Sequence, residues 1–322
     1  GPAAEATSAV LLRRPVRVYN VRGGRSAPGM RRSHVAALGA ITRISDATVT
    51  ACELHTCVSM LVPPATPPVP SAEPFVVEVE TGGATMLMLQ AIMPVVVAQS
   101  AAHGGIMRQV TLRGGTNVGP PPVGGKGASP PPPFKLNAPQ VDFTKLVLLP
   151  TLRRCFGIDA SLEVVRRGFL SGGGEVRVQL AAPALPLRPL TLVEQGAPHC
   201  VRVSAFCTRD LAAKGVLQRM VDGAREALQT MLADVPVEWS LDEVDVTGKQ
   251  TACGLVVALE TTTGCALAGD SMGRMGCPAE AVGREAVMGM VDTWRSGACA
   301  DDHLTDQLII YMAMASGTSR LR

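Results

Sequence analysis

The chain has 322 residues, of which 47% are apolar and 18% charged, and carries a net charge of +3. That length and apolarity supply a substantial core for one large or two medium domains, which excludes disorder as the main state. The longest apolar stretch, Met86 to Ala98, is interrupted by Gln90 and Pro94 and falls short of the roughly 20 residues of a membrane span, so no membrane partner is expected.

The N-terminal run Ala3 to Leu12 is followed by arginines rather than preceded by them, unlike a secretory signal. Nine cysteines form no paired framework, the nearest being Cys52 and Cys57, which suits reduced thiols inside the cell and argues against zinc. Charge is unevenly placed. Arginines stand at 13, 14, 17, 22, 25, 31, 32 and 43 with no acid among them, the footprint of a surface that meets phosphate.

In chain order, Val16 to Val21 reads as a strand and Arg22 to Gly29 as the turn after it. Glycines there let a backbone approach a ligand, and the planar forks of Arg22 and Arg25 match phosphate oxygens, although an ordinary surface loop has the same composition. Apolar spacing at Val35, Leu38, Ile41 and Ile44 predicts a helix over 30–45, followed by strands over 47–54 and 58–62. After a Pro-rich connection come a strand over 75–80 and the segment Thr81-Gly82-Gly83-Ala84-Thr85, opening a helix whose free N–H groups suit an anion. Gln90, alone among apolar neighbours, is either a ligand contact or a core amide.

Arg108 to Arg113 reads as a strand ending in Gly114-Gly115-Thr116-Asn117, and 119–137 as a low-complexity Pro/Gly insertion. Asp142 is either a helix cap for 143–156 or an acid of a site. Paired strands over 163–167 and 175–180 flank a triple glycine that lacks the Gly-Lys-Ser/Thr ending of a phosphate loop, which leaves a tight connection beside Arg166 and Arg167. From 183 to 245 the pattern is strand, strand, long helix (210–233), strand. Strands over 253–260 and 265–270 and a helix over 279–295 follow.

A last helix starts at Asp301. In it Asp302 and Asp306 share one stripe, and His303 and Gln307 the next, because residues four apart share a face. Capping and the helix dipole account for the first acids. Asp306 and Gln307, beside the apolar run Leu308 to Ala315, need partners or the edge of a cavity, since unpaired burial costs about several kcal/mol. A polar-lined ligand site and a satisfied structural network both remain open.

Six strings occur in an order that resembles the RNA 3'-terminal phosphate cyclase family: RGGRSAPGMRRSHV, TGGATMLMLQAIMP, LRGGTN, VDFTKLVLLP, RRGFLSGGGEV and DDHLTDQLIIYMAMASGTSR. The resemblance implies an α+β fold. A large domain of repeated βαβαββ units, like the C-terminal domain of translation initiation factor 3, would cover 1–182 and 251–322, with a small α/β domain inserted at 183–250. It implies ATP-dependent conversion of RNA 3'-phosphate ends to 2',3'-cyclic phosphates through enzyme-AMP and RNA-adenylate intermediates. ATP and a divalent metal, Mg or Mn, would be the cofactors, RNA with a 3'-phosphate end the partner, and the nucleus the compartment.

Gln90, Pro139, Asp142, His303, Asp306 and Gln307 match positions at the nucleotide, and Arg22 and Arg25 positions near the nucleotide and RNA phosphates; Arg166 and Arg167 are expected near the RNA surface. Ser33 departs from the pattern, standing where the family has glutamine before the histidine matched by His34. The family's nucleophilic histidine is expected beyond Arg322, and its Gly-Gly-Gly-Gln segment with a metal-binding glutamate before Gly1. No catalytic residue or metal ligand is therefore assigned, and the sequence in hand is expected not to turn over. The alternative is a non-catalytic cyclase-like protein that binds RNA or partners in ribosomal RNA processing. Carboxyvinyl transferases built from similar units share only architecture, which does not fix function.

Overall fold

The computed structural model describes residues 2–70, 73–79, 84–119, 138–245 and 250–322. The chain divides into two compact units, one formed by 1–116 with 157–187 and the other by 117–156 with 188–322. It is an α+β protein. The segment 81–83 at the expected glycine-rich helix start and residues 120–137 of the expected insertion lie outside the described residues.

The first unit opens with α1 (Pro2–Leu12), a helix the sequence reading left unassigned, and β1 (Val16–Val18). Then come α2 (Arg32–Ser45), β2 (Thr48–Thr50) and β3 (Ser59–Val62), and the three strands pair in the order β1-β3-β2. Next are β4 (Phe75–Glu78), α3 (Thr85–Ala102), β5 (Arg108–Gly114), β6 (Asp159–Arg166) and β7 (Gly174–Ala181), whose strands form a sheet ordered β4-β5-β7-β6.

α3 is apolar on every side because α1, α2, β5 and β7 enclose it. By length and composition it is the one described helix that passes for a membrane span, yet most of it is buried inside the unit. Two polar groups fasten its neighbours: Thr7 Oγ1 donates to the Ala91 carbonyl at 2.6 Å and Gln99 Nε2 to the Ile44 carbonyl at 2.5 Å.

The second unit holds α4 (Val141–Phe143), a π-helical stretch Thr144–Leu148 and α5 (Leu149–Phe156). These run on as one rod. Pro150 has no N–H to donate, and the widened turns just before it let the helix continue past the missing bond. β8 (Thr191–Leu192), β9 (Pro198–Thr208), α6 (Arg209–Ala212), α7 (Val216–Met231), β10 (Val237–Val244), β11 (Cys253–Thr261), β12 (Ala266–Met272), α8 (Ala279–Arg295), α9 (Asp302–Ala313) and β13 (Arg320–Leu321) complete it.

β9 to β12 form one sheet ordered β10-β9-β11-β12, with β10 parallel to β9 and the others antiparallel. A small domain ending at residue 250 is therefore not what the strands form: β9 pairs with β11 along nearly its whole length, so 198–244 and 253–272 are one body. The mixed run of apolar residues in β11 reflects a central strand covered on both faces. One face packs Val203, Ala205, Leu255 and Val257 against Met220, Val221 and Ala224 of α7 and Val282, Ala286 and Val287 of α8. The other face receives the 141–156 rod.

α7 and α8 cross with their backbones in contact. A Cβ on Gly283 would stand 2.0 Å from the Met220 carbonyl oxygen, and one on Gly223 2.2 Å from that of Glu280. Gly283→Ala therefore forces the helices apart and is expected to cost about 1–3 kcal/mol, a drop of several degrees in Tm. Gly289→Ala, where the nearest atom is 3.7 Å away, is the control that melts like the parent. Equal melts for both variants would refute the close crossing.

Candidate functional site

The face of the second unit's sheet that receives the rod carries polar groups where apolar ones are the norm. Strand register puts Ser204 of β9, Val256 of β11 and Asp270 of β12 in one lateral row, because each is the direct partner of the next. The start of the helical rod settles on this row. Ser204 Oγ donates to Asp142 Oδ1 at 2.7 Å, and Asn117 Nδ2 donates to Asp142 Oδ2 and to Gln140 Oε1, both at 2.9 Å. Gln140 Nε2 in turn reaches Asp270 Oδ2 at 3.3 Å. Asn117, Gln140, Asp142 and Ser204 are all buried.

The end of the same sheet fixes α9. Asp301 is its N-cap: Oδ1 accepts from the Leu304 N–H at 2.9 Å, and Oδ2 accepts from the Ala268 N–H of β12 at 3.2 Å. A parallel bridge between Ala266 and Ala300 extends this contact along the outer edge of β12, which is thereby covered rather than left open. Burial pushes the Asp301 carboxyl up to about 6 against the opposing pull of the Leu304, Ala268 and His303 N–H groups. Asp270 goes up to about 7, again mainly by burial, with the Gln140 hydrogen bond opposing and the neighbouring Asp301 adding.

α9 is not buried all round, as the apolar run Leu308 to Ala315 suggested. Leu304, Gln307, Leu308 and Tyr311 form its buried stripe, while Ile309 is 58% exposed. Tyr311 meets Phe156 with ring centroids 5.9 Å apart, and His303 stands edge-on to Phe143 at 5.6 Å. Asp302 and Asp306 face outward. Gln307 is 3% exposed and its carbonyl oxygen has no hydrogen-bond partner, an orphan acceptor beside the exposed Asp306.

The nucleotide candidates thus divide. His303, Asp306 and Gln307 lie on the first two turns of α9, and Pro139 is buried in the segment ahead of α4. Asp142 is not the cap: Gln140 occupies the N-cap position of α4, and both Asp142 oxygens accept hydrogen bonds inside the protein, from Ser204 and Asn117. Asn117, Gln140, Ser204 and Asp270 are not among the expected site residues, and Asp301 is expected only as a helix cap. Asn117 and Asp301 stand in strings that carry the resemblance, and nothing in the spacing of the five relates them. Gln90 lies half-buried on α3 of the first unit, four residues ahead of Pro94.

The phosphate candidates belong to the first unit. Arg22, at φ 53°, folds back so that Nη1 donates to the Ala27 carbonyl at 2.5 Å, and Arg31 Nη2 donates to the same carbonyl at 3.1 Å. Arg25 is exposed. His34 Nδ1 accepts from the Arg31 N–H at 3.0 Å, and its pKa is held below the usual value by burial first, then by Arg22 and Arg31. Arg166 is exposed, with Nε donating to the Gly173 carbonyl, and Arg167 is 7% exposed.

Among the described residues no three His, Cys, Asp or Glu side chains stand together to hold a metal ion. A shallow pocket lined by Arg154, Arg202 and Glu260 contains none of the candidates.

The structure is thus an α+β protein with a polar helix start set on a sheet and, in the first unit, an arginine-rich stretch without acids. A sequence profile of the RNA 3'-terminal phosphate cyclase family matches residues 5–123 and 134–322, the break falling inside the low-complexity stretch. RNA 3'-terminal phosphate cyclases of Ignicoccus hospitalis and Desulfurococcus amylolyticus are 32% and 31% identical, each over 98% of this chain and 81% of its own length. A probable RNA 3'-terminal phosphate cyclase of Dictyostelium discoideum is 26% identical over 98% of this chain and 67% of its own. The chain belongs to the RNA 3'-terminal phosphate cyclase family.

Asp270 makes the site end sensitive to pH. Its folded-state value lies above the ordinary carboxylate value, so its stabilisation is complete below about pH 4 and is lost as pH rises through about 7. Asp270→Asn keeps an acceptor for Gln140 and removes the charge. The variant's melting advantage over the parent is expected to grow between pH 4.5 and pH 8; a constant difference would show that this carboxyl titrates normally.

Proposed function

We propose that this protein converts RNA 3'-phosphate ends to 2',3'-cyclic phosphates at the expense of ATP. A histidine attacks the α-phosphate and displaces pyrophosphate; AMP passes from the imidazole to the RNA phosphate; the vicinal 2'-hydroxyl then closes the ring and expels AMP. Each step is an in-line transfer at phosphorus, so positioning and neutralisation of charge are what a protein supplies. No nucleophile is assigned among the described residues.

The observation that carries the reading is the buried Gln307 carbonyl without a partner. Such an acceptor costs about 1–3 kcal/mol unless a ligand donor meets it, and the exocyclic amino group of adenine is a donor of the right kind. His303, half-exposed and edge-on to Phe143, offers a flat face for a base, and Asp306 an outward acceptor on the next stripe. In the first unit the arginine forks around Arg22 and Arg25, with no acid between Arg13 and Arg43, suit the phosphates of RNA. The nuclear compartment gains no support from relatives that are mostly archaeal.

The test is transfer of label from α-labelled ATP to the complete gene product in the presence of a divalent metal. A histidine-linked AMP adduct is expected, along with at least tenfold weaker ATP binding by Gln307→Ala. A protein that binds 3'-phosphorylated RNA yet never takes up label would instead be the non-catalytic binder, a reading favoured by the acid-free arginine stretch. For RNA, Arg22→Ala and Arg25→Ala are each expected to weaken binding and to flatten the dependence of log Kd on log salt by about one unit or less; unchanged slopes would remove these residues from the RNA surface.

A further inference from the structure

Asn117 closes the string Leu112 to Asn117, to which no role has yet attached, and it is fully buried. Its amide ties together two side chains of the segment 138–143, and through them the network reaches β9 at Ser204 and β12 at Asp270. Two residues along β12, the Ala268 N–H is the point at which Asp301 pins α9. Phe143 and His303, which meet edge to face, therefore hang from two polar anchors on one sheet, Asp142 at Ser204 of β9 and Asp301 at the Ala268 N–H of β12. Phe143 follows Asp142 directly, and His303 lies two residues after Asp301.

We propose that Asn117 and Ser204 are positioning residues for the nucleotide: by holding both oxygens of Asp142 they fix the Phe143 ring, and with it the pose of His303 on α9. The proposal rests on the nucleotide reading given above. A sheet face of this kind is covered most cheaply by apolar side chains, as Val256 shows in the middle of the row. Polar groups in its place cost desolvation and return a single geometry, because each donor and acceptor satisfies only one arrangement of its neighbours. Stability alone is served as well by valine or leucine. What the network adds is a fixed place for the Phe143 ring.

Asn117→Ala, Ser204→Ala and the hydroxyl-retaining Ser204→Thr separate positioning from simple loss of fold. Each is examined by thermal melt, by NMR of the His303 imidazole, whose Cε1–H senses the Phe143 ring, and by ATP binding. The expected result is a cooperative melt for all three. The ring-current shift of His303 is lost in both alanine variants and restored in Ser204→Thr, and ATP binds about tenfold more weakly to the alanine variants only. An unmoved His303 signal in the alanine variants overturns the proposal, as does weakened ATP binding that Ser204→Thr fails to restore. Should Asn117→Ala not fold, Ser204→Ala against Ser204→Thr decides alone. If the parent binds no ATP, the nucleotide reading falls, and the His303 signal still decides whether the network sets that side chain.

Discussion

The row Ser204, Val256, Asp270 across three adjacent strands is the constraint on which the second unit's site depends. Antiparallel pairing makes direct partners share a face, so once β9, β11 and β12 are in register a hydroxyl and a carboxyl stand on either side of a valine. The 141–156 rod has to land with Asp142 over one and Gln140 over the other. A one-residue slip of any strand would turn Ser204 or Asp270 to the face where α7 and α8 pack, and leave Asp142 buried beside apolar groups. The network is thus an energetic check on register as well as a fastening.

The same strand holds the helix that carries the candidate ligand groups. Asp301 satisfies two N–H groups that belong to different elements, one in α9 and one in β12, which turns an ordinary N-cap into a joint. Burying two carboxyls so near each other is costly, and both respond by binding protons more tightly than usual. An orphan amide acceptor at Gln307 stands on the buried stripe of α9, whereas the opposite face of the sheet, against α7 and α8, is an apolar core.

The first unit solves another problem. Three arginines of its N-terminal stretch are tied down by backbone carbonyls: Arg22 and Arg31 share the Ala27 carbonyl, and Arg43 donates to the Val76 carbonyl while lying over the Phe75 ring at 5.1 Å, whereas Arg113 and Arg177 on its sheet pair with Glu78, Glu163 and Glu175. A carbonyl orients a guanidinium without neutralising it. Compare Arg202, whose charge is taken up by Glu238 and Glu260 in the second unit. Neutral His34 among these cations keeps the cluster's repulsion down and leaves its charge available to an anion.

Much of this was legible in the chain itself. The helix over 279–295, the hairpin around 168–174 and the long crossover helix followed from periodicity and glycines, because those signals are local. The string around Asp301 to Gln307 announced a polar helix start, and Gln307 does carry an unmet acceptor. Not legible was the division into units: 198–272 reads as two separate pieces in order, but hydrogen-bonds into one sheet. Nor did spacing relate Asn117, Asp142, Ser204, Asp270 and Asp301, which stand far apart in sequence. Residue type and period fix what each segment is and which way its apolar side faces; which buried donor meets which acceptor is decided only when strands choose partners and register, because a hydrogen bond depends on distance and angle in space and not on separation along the chain.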